Sequence, residues 1–265
     1  MDLERLREVL NYVLSLRKPT GGFAFAQTVP SGIEDTYFAL RTLDSLGYRE
    51  SHQDTAEWLK QEPWIPDPTG RVLYFRVALY LRLGIEVPWE KVREEIVSFL
   101  PRLRGNPQKL DFLGRVTALA KKHHESWHEL EAFLEEEALK ADLSVTPEDT
   151  LQKLWRKYRV HILYGRPIDL LALTRFLELC QNPDGGFGCK PFTTSFLEHT
   201  YFAYRLFQEL GEEPSRKGRT KAFVLNCQNR RGGFARAPGG VPFLDTTFYG
   251  IRVLEMLEGL CPLSP

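Results

Sequence analysis

Three short turns, Gly21-Gly22-Phe23, Gly185-Gly186-Phe187 and Gly232-Gly233-Phe234, decide how this sequence is read. Each is followed by a stretch that opens on an acid: Glu34-Asp35-Thr36-Tyr37-Phe38-Ala39-Leu40-Arg41, Glu198-His199-Thr200-Tyr201-Phe202-Ala203-Tyr204-Arg205 and Asp245-Thr246-Thr247-Phe248-Tyr249-Gly250-Ile251-Arg252. Aligned, the first place is acidic, the third is Thr, two aromatics follow, the sixth is small and the eighth is Arg. The second and third turns lie 47 residues apart, and the first and second lie 164 apart, which divides into four steps of 41. A period in this range is the mark of stacked structural repeats. It places degenerate units near 64, 105 and 146, where Pro63-Trp64-Ile65-Pro66-Asp67-Pro68, Gly105-Asn106-Pro107 and Val145-Thr146-Pro147 supply turns.

Apolar residues recur at i, i+3 and i+4 through most of the chain, as in Leu3, Leu6, Val9, Leu10, Val13 and Leu14, while period-two alternation is scarce. Gly47, Gly84, Gly211 and Gly259 stand where such stretches stop, as left-handed caps require. The spacing predicts one set of helices over roughly 3–17, 52–61, 89–104, 125–140, 167–181 and 215–228. A second set is predicted over roughly 34–47, 70–84, 109–122, 147–164, 196–211 and 244–259. The second set carries more Tyr and Phe and less Lys and Glu, which suits helices covered on both sides. Two-helix units bury their apolar faces only by stacking, and six of them can close into a ring. The expected fold is an all-α protein, an α/α toroid of about six helical hairpins with a central cavity. No low-complexity linker or break in composition divides the chain, so residues 1–265 are expected to form a single toroid domain.

The composition narrows the function. The chain has 265 residues, 43% hydrophobic and 26% charged, with 35 basic and 35 acidic side chains. Zero net charge gives no general attraction to nucleic acid or to an anionic membrane. No apolar run approaches the ~20 residues of a membrane span. The stretch from Met1 to Arg17 is charged and amphipathic, unlike a signal peptide. Cys180, Cys189, Cys227 and Cys261 form no C-x-x-C pair, which is expected of reduced thiols in a cytoplasm.

Ring closure would make the last two units neighbours of the first and bring their acids to one end of the funnel. An acid or Thr at a helix start ordinarily satisfies free N–H groups and opposes the helix dipole. The functional reading is a polar tip formed by Glu34, Asp35, Glu198, His199 and Asp245, in which close carboxylates raise one another's pKa and create a proton donor. Tyr37, Phe38, Tyr74, Tyr201, Phe202 and Phe248 are the candidate wall of an apolar pocket beneath it. The Arg column has three readings: pairing with acids, binding an anionic group, or facing the outer helices. A metal site of His199 with Glu198, Asp245 and Asp35 is a minor alternative.

The pattern Gln-x-x-x-Gly-x-Phe at Gln181, Gly185 and Phe187, and again at Gln228, Gly232 and Phe234, resembles the repeat shared by protein prenyltransferase β-subunits and the squalene and terpenoid cyclases. The resemblance implies an isoprenoid-like ligand in the toroid's cavity, where aromatic faces stabilise a cationic intermediate. It also admits a helical protein partner. Zinc prenyltransferases carry Asp-x-Cys at the start of one inner helix and His at the start of the next. Here those places hold Glu198, Thr200 and Thr246, so neither zinc nor any other cofactor is expected. Their diphosphate-binding Arg-x-x-Lys falls on Phe192 and Ser195, while Tyr201 matches the Tyr after the Cys. The cyclases' Asp-x-Asp-Asp-Thr becomes Gly32-Ile33-Glu34-Asp35-Thr36, with the donor place on Glu34. The rival expectation is a non-enzymatic binding or scaffold protein on the same fold.

Three weaker signals remain. His124 and His128 are four apart on a predicted helix face. Arg216, Lys217, Arg219 and Lys221 form a basic run at an outer helix start, read as surface. Glu148 and Asp149 read as the start of a helix.

Overall fold

The structure is a computed structural model and describes residues 2–258; Gly259 and Cys261 lie outside the described residues. Among the described residues there are twelve α-helices and no named strand. In chain order they are α1 (Leu3–Ser15), α2 (Ile33–Ser45), α3 (Gln53–Gln61), α4 (Arg71–Arg82), α5 (Trp89–Phe99) and α6 (Pro107–Lys122). There follow α7 (His128–Leu139), α8 (Leu151–Tyr164), α9 (Leu170–Cys180), α10 (Leu197–Leu210), α11 (Lys217–Cys227) and α12 (Leu244–Glu258). The even-numbered helices each pack on the next, α2 on α4 and so on to α12, and α12 packs back on α2. That last contact closes an inner ring, with the odd-numbered helices outside it. The expected toroid of six hairpins is the observed fold.

Local chemistry sets the helix ends. Asp2, Asn106, Thr150 and Asp169 cap the free N–H groups of α1, α6, α8 and α9. Departures from the predicted ranges have local causes. The outer helix expected to reach 104 stops at Phe99 and ends in a 3₁₀ turn, Leu100–Arg102, where Pro101 brings no N–H. The helix expected from 147 starts at Leu151, because Asp149 folds back to accept the Thr146 N–H (2.9 Å) and meets Lys157 (2.9 Å) in the interior. His124 sits at positive φ between α6 and α7 while His128 opens α7, so the two imidazoles share no helix face.

The three Gly-Gly-Phe turns explain the repeat. The phenylalanines Phe23, Phe187 and Phe234 are fully buried, and so is the backbone beside them. The Phe23 N–H donates to Thr36 Oγ1 (2.9 Å), Phe187 N–H to Thr200 Oγ1 (3.1 Å) and Phe234 N–H to Thr247 Oγ1 (3.0 Å). The Thr column thus caps the turns rather than its own helices. The first glycine of each turn has φ of 91°, 90° and 91°, and a Cβ there would strike the backbone of the next unit's outer helix: Asp54 in α3, Arg219 in α11 and Glu8 in α1. The contact of Gly232 with Glu8 is the seam where the sixth unit meets the first. Gln228 completes it, donating to Gly232 O (3.0 Å) and Arg5 O (3.2 Å). In the first two degenerate units an acid on the following outer helix holds the loop. Glu95 accepts from Trp64 Nε1 (2.6 Å), and Glu137 accepts from the Gly105 N–H (3.0 Å).

Gly232→Ala places a Cβ in a left-handed position against backbone, so it should lower unfolding free energy by about 2 kcal/mol or more. Gly218, inside α11 with nothing near its Cβ position, should gain roughly 0.5–1 kcal/mol as Ala. Urea unfolding of the two variants side by side tests the seam. Thr200→Val leaves the Phe187 N–H unpaired and should cost about 1–3 kcal/mol, whereas Thr200→Ser should retain most of the stability.

Candidate functional site

Because α2, α10 and α12 run in the same sense around the ring, their first turns meet at one end. Glu34, Asp35, Glu198 and Asp245 line a single mouth pocket of about 780 Å³. Its walls are apolar: Phe25, Ile33, Ile65, Val72 and Phe243, together with the prolines of the 63–68 loop. Ile65 is 70% exposed, Phe25 50% and Phe243 41%, so the rim presents large apolar side chains to solvent.

The carboxylates are not equivalent. Glu34 is ion-paired with Arg71 and Glu198 with Arg236. Asp35 accepts the Phe25 N–H (3.0 Å), and Asp245 accepts the Thr246 N–H (2.7 Å). Neither aspartate has an ion-pair partner among the described residues. Burial pushes the Asp35 and Asp245 carboxyls above their ordinary value; Asp245 adds to the rise at Asp35, and Glu198 to that at Asp245. At Glu34 burial raises the carboxyl and the Arg71 guanidinium pulls it part of the way back. His199 does not line the pocket. Its Nε2 lies 3.4 Å from Glu198, its buried Nδ1 has no hydrogen-bond partner, and burial holds the ring below its ordinary pKa.

Behind the mouth is the lumen, narrower than an open apolar funnel. Tyr37, Phe38, Tyr201, Phe202 and Phe248 do reach it, but the space left is about 200 Å³. The rings pack on one another instead of standing apart: Tyr37 stacks on Phe75 (4.2 Å between centroids) and Tyr201 on Tyr249 (4.8 Å). Tyr74 is covered by the Arg115 guanidinium, 3.6 Å above its ring. The Arg column faces inward: Arg41 of α2, Arg205 of α10 and Arg252 of α12 line the lumen. Arg71 of α4, Arg115 of α6, and Arg156 and Arg159 of α8 join them. Sequence reasoning missed these four and the apolar rim, since none stands in a motif. The only signal was their position on predicted inner helices.

The zinc chemistry of the zinc prenyltransferases does not fit. The Thr200 hydroxyl accepts from Phe187 N–H and donates to Phe196 O (3.0 Å), and Thr246 Oγ1 donates to Phe234 O (2.7 Å). Both hydroxyls are committed to turns, and neither is a thiolate or imidazole. Among the described residues no group of three His, Cys, Asp or Glu side chains is placed to hold a metal ion. The basic run at α11 is structural: Arg216 and Arg219 bond the Gln181 and Pro183 carbonyls, and Lys217 and Lys221 pair with Glu213 and Glu258.

The model of the prenyltransferase alpha-alpha toroid domain matches residues 1–64, 157–219 and 207–264. The chain belongs to this family. The stretch the toroid model leaves unmatched, 65–156, holds most of the three degenerate units, in the first two of which an acid replaces the Gly-Gly-Phe joint. No curated protein matches the chain.

Asp245 gives a test of the mouth's electrostatics. A carboxyl raised by folding binds more protons in the native than in the unfolded state, so its contribution to stability falls as pH climbs from 3.8 through the native value. Asp245→Asn should therefore melt at a higher temperature than the parent at about pH 7, and the difference should vanish below about pH 4. A downward shift at pH 7 that vanishes below about pH 4 would instead show that the carboxylate is needed charged.

Proposed function

We propose that this prenyltransferase-like toroid, a single domain of a reducing cytoplasm, binds the apolar chain of an isoprenoid-like small molecule at its mouth. The observation that carries the reading is the 780 Å³ pocket, walled by Phe25, Ile33, Ile65, Val72 and Phe243 over the carboxylates of Glu34, Asp35, Glu198 and Asp245. A pocket of this size with apolar walls and a few convergent polar groups is the usual form of a small-molecule site. The three described cysteines are free, and no helix among the described residues is long and apolar enough to cross a membrane. The aromatic column of Tyr37, Phe38, Tyr74, Tyr201, Phe202 and Phe248 supports the pocket floor from behind. If the toroid is an enzyme, Asp245 is the proton donor: it has no cation partner, and burial favours its protonated form. Glu34 and Glu198 hold the floor in place through Arg71 and Arg236. His199 orients Glu198.

A second reading, a non-enzymatic binding or scaffold protein, is favoured by a specific observation. Thr200 and Thr246 stand at the zinc-ligand places and their hydroxyls are used in turns. In that case the exposed rim of Phe25, Ile65 and Phe243 seats a helical protein partner.

Native mass spectrometry with farnesol, with and without zinc, should show one molecule retained and no dependence on the metal. Ile65→Glu and Phe243→Glu, both at the exposed rim, should each lose the complex. Asp245→Asn should keep the complex and lose any conversion of the chain. Farnesol that leaves no adduct on the parent protein would remove the isoprenoid reading and favour the scaffold.

A further inference from the structure

The mouth leaves the lumen unexplained. Every inner helix directs an arginine into it, and no acidic residue is among those that line it. Four carboxylates stand behind: Glu34 with Arg71, Asp111 with Arg115, Arg156 and Arg159, Glu209 with Arg205, and Glu255 with Arg252. Six of the seven guanidinium groups thus share four carboxylates, three of them on Asp111 alone; Arg41, the seventh, is exposed and has no ion-pair partner among the described residues. Positive charge in excess inside a low-dielectric ring is costly unless something of opposite sign offsets it. Arg156 is 9% exposed, and its buried Nε has no hydrogen-bond partner; the Arg205 Nε is in the same state.

The guanidinium groups are also held in place. Arg115 lies 3.6 Å above the Tyr74 ring, Arg156 4.2 Å from Phe112 and Arg205 5.2 Å from Trp155. Planar forks fixed on aromatic faces lose little freedom on binding, and their paired N–H groups match phosphoryl oxygens. We propose that the lumen is a binding site for a small, multiply charged phosphoryl anion of the size of inorganic phosphate or diphosphate. The site goes beyond the mouth reading and does not depend on it. Its 200 Å³ falls below the ~300–1,000 Å³ of sites for larger ligands, so a phosphoryl group carrying a long chain is excluded. The Glu34–Arg71 pair separates the two compartments, since Glu34 lines the mouth and Arg71 the lumen. Entry is from the opposite end, where Tyr37, Arg41 and Arg252 also line a groove with Asp44 and Arg82. Arg41 and Arg252 are the residues an incoming anion meets first.

Titration calorimetry of the full chain at low ionic strength tests this with inorganic phosphate, inorganic diphosphate and geranyl diphosphate. Diphosphate is expected to bind with one-to-one stoichiometry and more tightly than phosphate. Arg41→Gln and Arg252→Gln should each weaken it by about tenfold, while Arg219→Gln on the outer surface leaves it unchanged. Absence of binding by both inorganic anions would overturn the proposal. So would equal weakening by Arg219→Gln, or geranyl diphosphate binding as tightly as diphosphate, which would place a chain where the lumen has no room.

Discussion

A single buried N–H group, that of the phenylalanine in each Gly-Gly-Phe turn, organises the ring. The turn must run through the protein interior to lay its first glycine against the neighbouring outer helix, and an interior N–H without a partner is expensive. The threonine one turn into the following inner helix supplies the acceptor at Phe23, Phe187 and Phe234 alike. One small device therefore ties an outer helix, a turn and an inner helix together and docks them on the next unit. At Gly232 the next unit is the first, and the chain closes on itself through Glu8, Arg5 and Gln228. The middle units dock by different chemistry, with Glu95 and Glu137 reaching back to the loops, and they are the part of the chain that the toroid-family model leaves unmatched.

Closure sorts charge along the axis of the ring. Acids in the first turns of α2, α10 and α12 sit where the positive ends of the helix dipoles favour them, and closure gathers them in one pocket. Two turns further in, the same helices carry arginines, and closure gathers those as well. The Glu34–Arg71 pair lies at the boundary between the two zones. The result is an acidic, apolar-walled mouth over a cationic interior. The chain's zero net charge conceals that separation, because a sum over the sequence carries no information about where the charges face.

The columns of the aligned repeats were legible at different depths. The threonine column was visible as a pattern, but its partner was not, because Phe187 and Thr200 meet only after the intervening loop folds back. The aromatic column was placed on the inner helices by its spacing, but its packing was not legible: the rings pack against one another and under guanidinium groups, leaving little open space. Arg41, Arg205 and Arg252 stood out by alignment, whereas Arg71, Arg115, Arg156 and Arg159 belong to units whose repeat has decayed and had nothing to align with. His124 and His128 looked paired by spacing, and the turn at positive φ between them separated the two.

The order of elements, the six-fold repeat and the inner or outer place of each helix follow from local patterns in the chain: apolar periodicity, turn glycines and the distance between repeats. These are properties of neighbours along the backbone, so the sequence alone determines them. Which side chains share a pocket is a different kind of fact. Asp35 and Asp245 are 210 positions apart and act on each other only because α12 packs on α2. The size and charge of the lumen, and the division of labour among four carboxylates, likewise depend on ring diameter and on burial, and both come into being only when the circle is complete.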